Sequence, residues 1–129
     1  MSAQQLIERL RAARDSWCVL READGGMPEL AVQLRRPAEV EMSKLRPGPG
    51  RDLDAALTEA ACSTAVGWRG FTEADLLGAA VGSSDPLPFD AALWREVAGD
   101  RMEWLTACAN HILAQVKEHF AQKAEQRKN

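Results

Sequence analysis

Tyrosine is absent from these 129 residues, histidine occurs only twice, and cysteine three times. That scarcity restricts the chemistry open to the chain. Cys18, Cys62 and Cys108 are an odd number at wide spacing, and no two of them form a C-x-x-C pair. This argues against a disulfide framework or a zinc ribbon and fits a reducing, cytoplasmic setting. Gly78 and Gly82 lack the strand–turn–helix context and the lysine of a phosphate-binding loop. No G-x-S-x-G elbow surrounds Ser83 or Ser84. No run approaches the ~18 consecutive apolar residues of a membrane span. The opening M-S-A-Q-Q-L-I-E-R-L carries charge too early for a signal peptide. A net charge of −3 gives no general attraction to phosphate backbones, which disfavours nucleic acid as a partner.

What is present is the material of one globular domain over residues 1–129. Apolar residues make up 46% of the chain and charged residues 27%, enough of each for a core with a solvated surface. Ser2 and Gln5 form a capping-box pattern at the start of a helix running to about Asp15, with Leu6, Ile7 and Leu10 on one face. Ser16–Glu22 and Glu29–Arg35 read as the two strands of a β-hairpin around Asp24-Gly25-Gly26. Leu30, Val32 and Leu34 share the inward face of the second strand. A short helix follows from Pro37 to Leu45, then a break at Arg46–Gly50. An Ala-rich helix is expected from Arg51 to Val66, stopped by Gly67 as a left-handed cap. Thr72 and Asp75 form a second capping box, opening a helix over about 73–80, with Phe71 and Leu76 placed as a hydrophobic staple. Asp90 caps a helix over 91–98. A long C-terminal helix over 101–122 carries the stripe Met102, Leu105, Ala109, Ile112, Val116 and Phe120. The polar residues 123–129 read as a frayed tail. The expected fold is α+β and mainly helical: a β-hairpin packed against several helices, the last of them long.

Candidate chemistry is thin. Cys108-x-x-His111 is the nearest approach to a thiol or metal site, but structural zinc needs four ligands and no second pair stands at ligand spacing. Its plainer reading is a buried cysteine beside a solvent-facing histidine. The acidic pairs Asp52/Asp54 and Glu73/Asp75 lie at helix starts, where the helix dipole explains them. The basic residues from Lys117 to Lys128 suit a helix C-terminus. Of the four tryptophans, Trp17 and Trp94 fall on apolar faces and read as core. Trp68 and Trp104 sit where an aromatic anchor for a partner is the alternative to core. The chain reads as a non-enzymatic interaction domain with no cofactor and no metal.

The stretch from Gly67 to Trp94 holds two of the four tryptophans and two of the three phenylalanines, interleaved with glycine and proline. W-R-G-F at Trp68–Phe71, D-P-L-P-F-D at Asp85–Asp90, and then Leu93-Trp94 resemble the tail assembly chaperone family of long-tailed bacteriophages and prophages. The preceding β segment, R-R-P and acidic helix are also similar, so the resemblance spans about residues 29–105. Trp68, Gly70, Pro86, Pro88, Phe89 and Trp94 match the motif. With Phe71 and Trp104 they are the candidate motif and protein-binding residues. The N-terminal helix departs from that pattern. The resemblance implies a protein of the bacterial cytoplasm that coats the helical tape measure protein before the tail tube polymerises. The tape measure protein is then the partner, the tail tube protein a second one, and homo-oligomers are compatible with the role. It also implies the shorter of two forms related by ribosomal frameshifting. The reading from another class is a small adaptor or antitoxin-like module. A thiol- or metal-dependent enzyme at Cys108 and His111 comes third.

Overall fold

The computed structural model describes residues 1–46 and 48–128. In chain order the elements are α1 (Ala3–Ala12), β1 (Asp15–Arg21), β2 (Leu30–Arg35), α2 (Glu39–Met42), α3 (Leu53–Ser63), β3 (Ala65–Arg69), α4 (Glu73–Leu77), α5 (Ala91–Gly99) and α6 (Met102–Lys128). A single 3-10 turn, Ser43–Leu45, continues α2. The fold is α+β and mainly helical, as expected, and α6 is its longest element.

The sheet has three strands rather than the expected two, in the order β1-β2-β3 with both pairings antiparallel. Helix α3 ends at Ser63, and the chain enters β3 through Thr64. Gly67 therefore lies inside a strand and is not a left-handed helix cap. It stands in register with Gln33, whose Oε1 lies 3.2 Å from where a Gly67 Cβ would be. Without β3 the second edge of β2 would lack backbone partners, so the added strand meets a requirement the hairpin alone leaves open.

Alternation along the strands sorts two faces. Cys18, Leu30, Val32, Leu34 and Trp68 are buried and turn towards the helices. Trp17 and Val19 turn outwards, 38% and 39% exposed. Trp17 is thus not a core residue. Its neighbour Cys18 takes the inward position, and the Arg69 guanidinium lies over the Trp17 ring at 4.3 Å. Ala31 shares this outer side yet is fully buried. Its cross-strand neighbours Val19 and Arg69 flank a side chain small enough to cover.

Helices α3, α5 and α6 pack on one another, and α6 and α5 also reach the sheet at β1 and β3. The buried stripe of α6 is Trp104, Leu105, Cys108 and Ile112. Trp104 lies on that stripe, while the expected terminal members Met102 and Phe120 face outwards. Residues 123–128 continue the helix rather than fraying. The Lys123 ammonium bonds both Glu39 carboxylate oxygens, at 2.8 and 3.0 Å, and His119 Nε2 meets the same carboxylate at 2.8 Å. Arg127 and Lys128 then stand at the negative end of the helix.

Helix α1 differs from the rest. Its capping box is formed as expected, but none of its residues is buried. Leu6, Ile7 and Leu10 are 50%, 41% and 62% exposed.

Candidate protein-binding groove

The candidate aromatics divide into a framework and a rim. Phe71, 1% exposed, is the hub. Trp68 stacks on it at 4.5 Å, while Trp104 and Trp94 meet it edge-on at 5.6 and 6.4 Å. Phe89 adds an edge contact to Trp68 at 5.4 Å and is half-buried. Both central indoles are satisfied: Trp68 Nε1 donates to the Leu87 carbonyl at 2.8 Å, and Trp94 Nε1 to the Ala61 carbonyl at 3.0 Å. Trp68, Phe71, Trp94 and Trp104 are therefore interior residues. They hold the segment's path and offer a partner little surface. Pro86 and Pro88 are exposed on the loop above them.

Gly70 makes the bend. Its φ is +85°, and a Cβ there would overlap the carbonyl oxygen of Glu29. The turn delivers Phe71 inwards and Thr72 to the start of α4. Thr72 Oγ1 accepts from the Asp75 amide at 3.2 Å, and the Asp75 carboxylate accepts from the Thr72 amide at 2.9 Å. The other Asp75 carboxylate oxygen binds Arg21 at 3.0 Å, tying α4 to the end of β1. The loop after α4 is fixed at both ends. The Ala74 amide donates to Ser83 O, and the Leu87 amide to Phe71 O.

Between α4, this loop and α5 lies a groove of about 770 Å³. Leu76, Leu77, Leu87, Leu93 and Val97 give it an apolar lining, and Leu77 is 62% exposed. Glu73, Glu96 and Asp100 stand around it, and none has an ion-pair partner among the described residues. Two arginines also line it, and Arg101 reaches the carbonyls of Asp75 and Leu76 at 3.4 and 3.5 Å. Arg95 forms a fork with Glu59, and Arg101 lies over Trp104 at 4.7 Å. An apolar floor with a carboxylate rim suits an amphipathic helix carrying basic flanks. The leucines of the groove are the residues that the aromatic motif drew attention away from. The signal was present as Leu76-Leu77 beside the capping box and as the Leu93/Val97 pair one helical turn apart.

The other polar cluster ties α6 to β1. The Ser16 hydroxyl and His111 Nε2 share a hydrogen bond of 2.8 Å, and Gln115 Nε2 donates both to Ser16 Oγ at 2.8 Å and to the Leu34 carbonyl at 3.1 Å. His111 is thus part-buried and partnered, not solvent-facing, and burial lowers its pKa. Cys108 is fully buried against Cys18, as its buried reading requires. Their hydrogen bond first, and burial with it, hold the Cys108 thiol far above its ordinary range. Among the described residues no three His, Cys, Asp or Glu side chains are grouped to hold a metal ion. Among them, too, no helix is long and apolar enough to cross a membrane. Comparison with family models, curated proteins and solved structures finds no match to this chain.

Proposed function

We propose that this chain is a non-enzymatic tail assembly chaperone of a long-tailed phage or prophage. It works in the cytoplasm of the bacterial host, binding helices of the tape measure protein and keeping them soluble until the tail tube forms around them. The observation that carries the reading is the α4–α5 groove: an uncovered apolar channel with a leucine floor between two capped helices. Long amphipathic helices aggregate through their apolar stripes unless these are covered, and a groove with a leucine floor covers one face of such a helix. The resemblance of the Trp68–Trp94 segment to the chaperone family supplies the identity of the client. The buried aromatics hold the groove's walls in place. Leu76, Leu77, Leu93 and Val97 make the contact.

The test is co-expression with the large protein encoded next to this chain, followed by solubility and co-elution. The expected result is a client that is soluble only with this chain, and co-elution that Leu77→Glu abolishes. A client that stays insoluble, or whose recovery ignores Leu77→Glu, refutes the reading and puts the adaptor or antitoxin-like module in its place.

A further inference from the structure

A polar pocket of about 260 Å³ opens where α1 gives way to β1, against the second half of α6. Arg14 and Arg36 both line it and both are half-buried. The backbone holds the two side by side, since the Arg36 amide donates to the Arg14 carbonyl at 2.9 Å. Among the described residues neither guanidinium pairs with a carboxylate. Arg36 donates to the Pro37 carbonyl at 2.7 Å, which leaves most of its fork of donors open.

The neighbouring carboxylates do not supply the missing charge. Asp15, in the pocket wall, is taken by Arg35 through two bonds of 2.7 and 3.1 Å. Glu39 is held by Lys123 and His119. Glu118, exposed on the rim, accepts from the Gln122 amide at 3.4 Å. The wall formed by Ser16 and Gln115 is neutral, and its groups are fixed by bonds to one another, to His111 and to the Leu34 carbonyl. Two part-buried positive charges therefore face one solvated negative charge. Like charges held together away from water each raise the cost of the other. Burial, then the charge of Arg14, lowers the pKa of Arg36 against the opposing pull of Glu39.

An oxyanion resolves this arrangement. A carboxylate offers two oxygens, which a single arginine fork uses up. A terminal phosphate offers three and serves both guanidiniums. We propose that this pocket is a phosphate site, in which Arg14 and Arg36 together bind a phosphate group, free or as a monoester, and so fix the joint between α1 and β1. It lies at the Asp15 end of β1, while the groove lies at the Arg21 end, and the two share no lining residue. The proposal does not rest on the client reading.

Calorimetric and NMR titrations of the isotope-labelled full chain test this, with inorganic phosphate and with glycerol 3-phosphate as probes. They are run at constant ionic strength and about pH 7.5, where the phosphate group is largely dianionic. The expected result is saturable binding of at least one probe, with resonance shifts at Arg14, Arg36 and the joint residue Ala13. Arg14→Gln and Arg36→Gln are each expected to weaken it by about tenfold or more. Arg11→Gln, outside the pocket, is expected to leave it unchanged. Arg14→Gln also relieves the repulsion, so without ligand it is expected to melt no lower than the wild type. That readout separates a lost site from a lost fold. Binding of inorganic phosphate alone assigns the free ion, and tighter binding of glycerol 3-phosphate assigns a monoester; either supports the site. No saturable binding of either probe overturns the proposal, as does binding that Arg14→Gln and Arg36→Gln leave intact. Equal weakening by Arg11→Gln overturns it in favour of diffuse charge attraction, and equal binding of acetate overturns the assignment to phosphate.

Discussion

At the scale of single residues, Gly70 and Phe71 decide the shape of the segment. A side chain at Gly70 is strained by its positive φ and also meets the Glu29 backbone. Gly70→Val is expected to cost about 2–4 kcal/mol, read by chemical denaturation. An unchanged midpoint would mean that the bend does not need this conformation. Phe71→Ala empties the centre of the aromatic cluster and is expected to cost about 3–5 kcal/mol. Phe89, at the cluster's edge, is expected to lose less on truncation. The motif W-R-G-F was legible as an organising stretch because glycine and bulky rings stand at fixed offsets. Whether each ring packs or binds was not legible, since a tryptophan at an element's edge serves either role and only the third dimension decides. His111 shows the same limit. Its partner Ser16 stands 95 residues before it, Gln115, which also bonds Ser16, one turn after it, and only the fold joins all three.

The same histidine gives a pH signature. Burial lowers its pKa, so as pH falls below its ordinary value of 6.5 the unfolded chain takes up a proton that the folded one resists. Stability is therefore complete above that pH and declines below it, until the folded group also titrates. Thermal melts from about pH 7 to about pH 5 are expected to show this decline, and His111→Asn to flatten it. A wild-type profile that is level over that range would contradict the buried, neutral imidazole.

At the scale of elements, sequence patterns worked where local chemistry governs. The capping boxes at Ser2 and Thr72, the Asp90 cap and the inward alternation of Leu30, Val32 and Leu34 all stand in the fold. They failed where tertiary pairing overrides local preference. Ala65–Arg69 continues an Ala-rich helical run and contains a glycine, yet β2 needs a strand on its second edge and takes this one. The last turns of α6 failed for a related reason. Their composition is polar, and their anchor, Glu39, is distant in sequence. Lys123 and then His119 hold the Glu39 carboxylate down from 4.5 to about 2. A depressed carboxylate contributes stability above its unfolded pKa and loses it as pH falls from about 4.5 towards 2. Protection factors for amide exchange across residues 119–128 are expected to fall through that window. Glu39→Gln should show the lower protection already at neutral pH. Equal protection in the two proteins would show that the tail's helix is held by something other than Glu39.

At the scale of the whole molecule, three helices and a three-stranded sheet enclose the aromatic hub, and among the apolar features left uncovered are the stripe of α1 and the groove between α4 and α5. Each was half legible. The helix and its apolar face are plain in the sequence, but that face reads as a core face until the fold shows it standing free. The groove's leucines are visible one by one, yet their convergence depends on the Gly70 bend and the anchored loop at Leu87. An open apolar groove rimmed by carboxylates follows from these particulars, and its proposed role is to hold a helix. Its most direct measurement is hydrogen exchange on the full chain, alone and with a soluble amphipathic helical segment of the tape measure protein. Protection is expected at Leu76, Leu77 and the Leu87–Leu93 backbone, with the outer sheet face at Trp17 and Arg69 unchanged. Protection confined to the sheet face, or none at saturating peptide, would contradict the groove as the binding site.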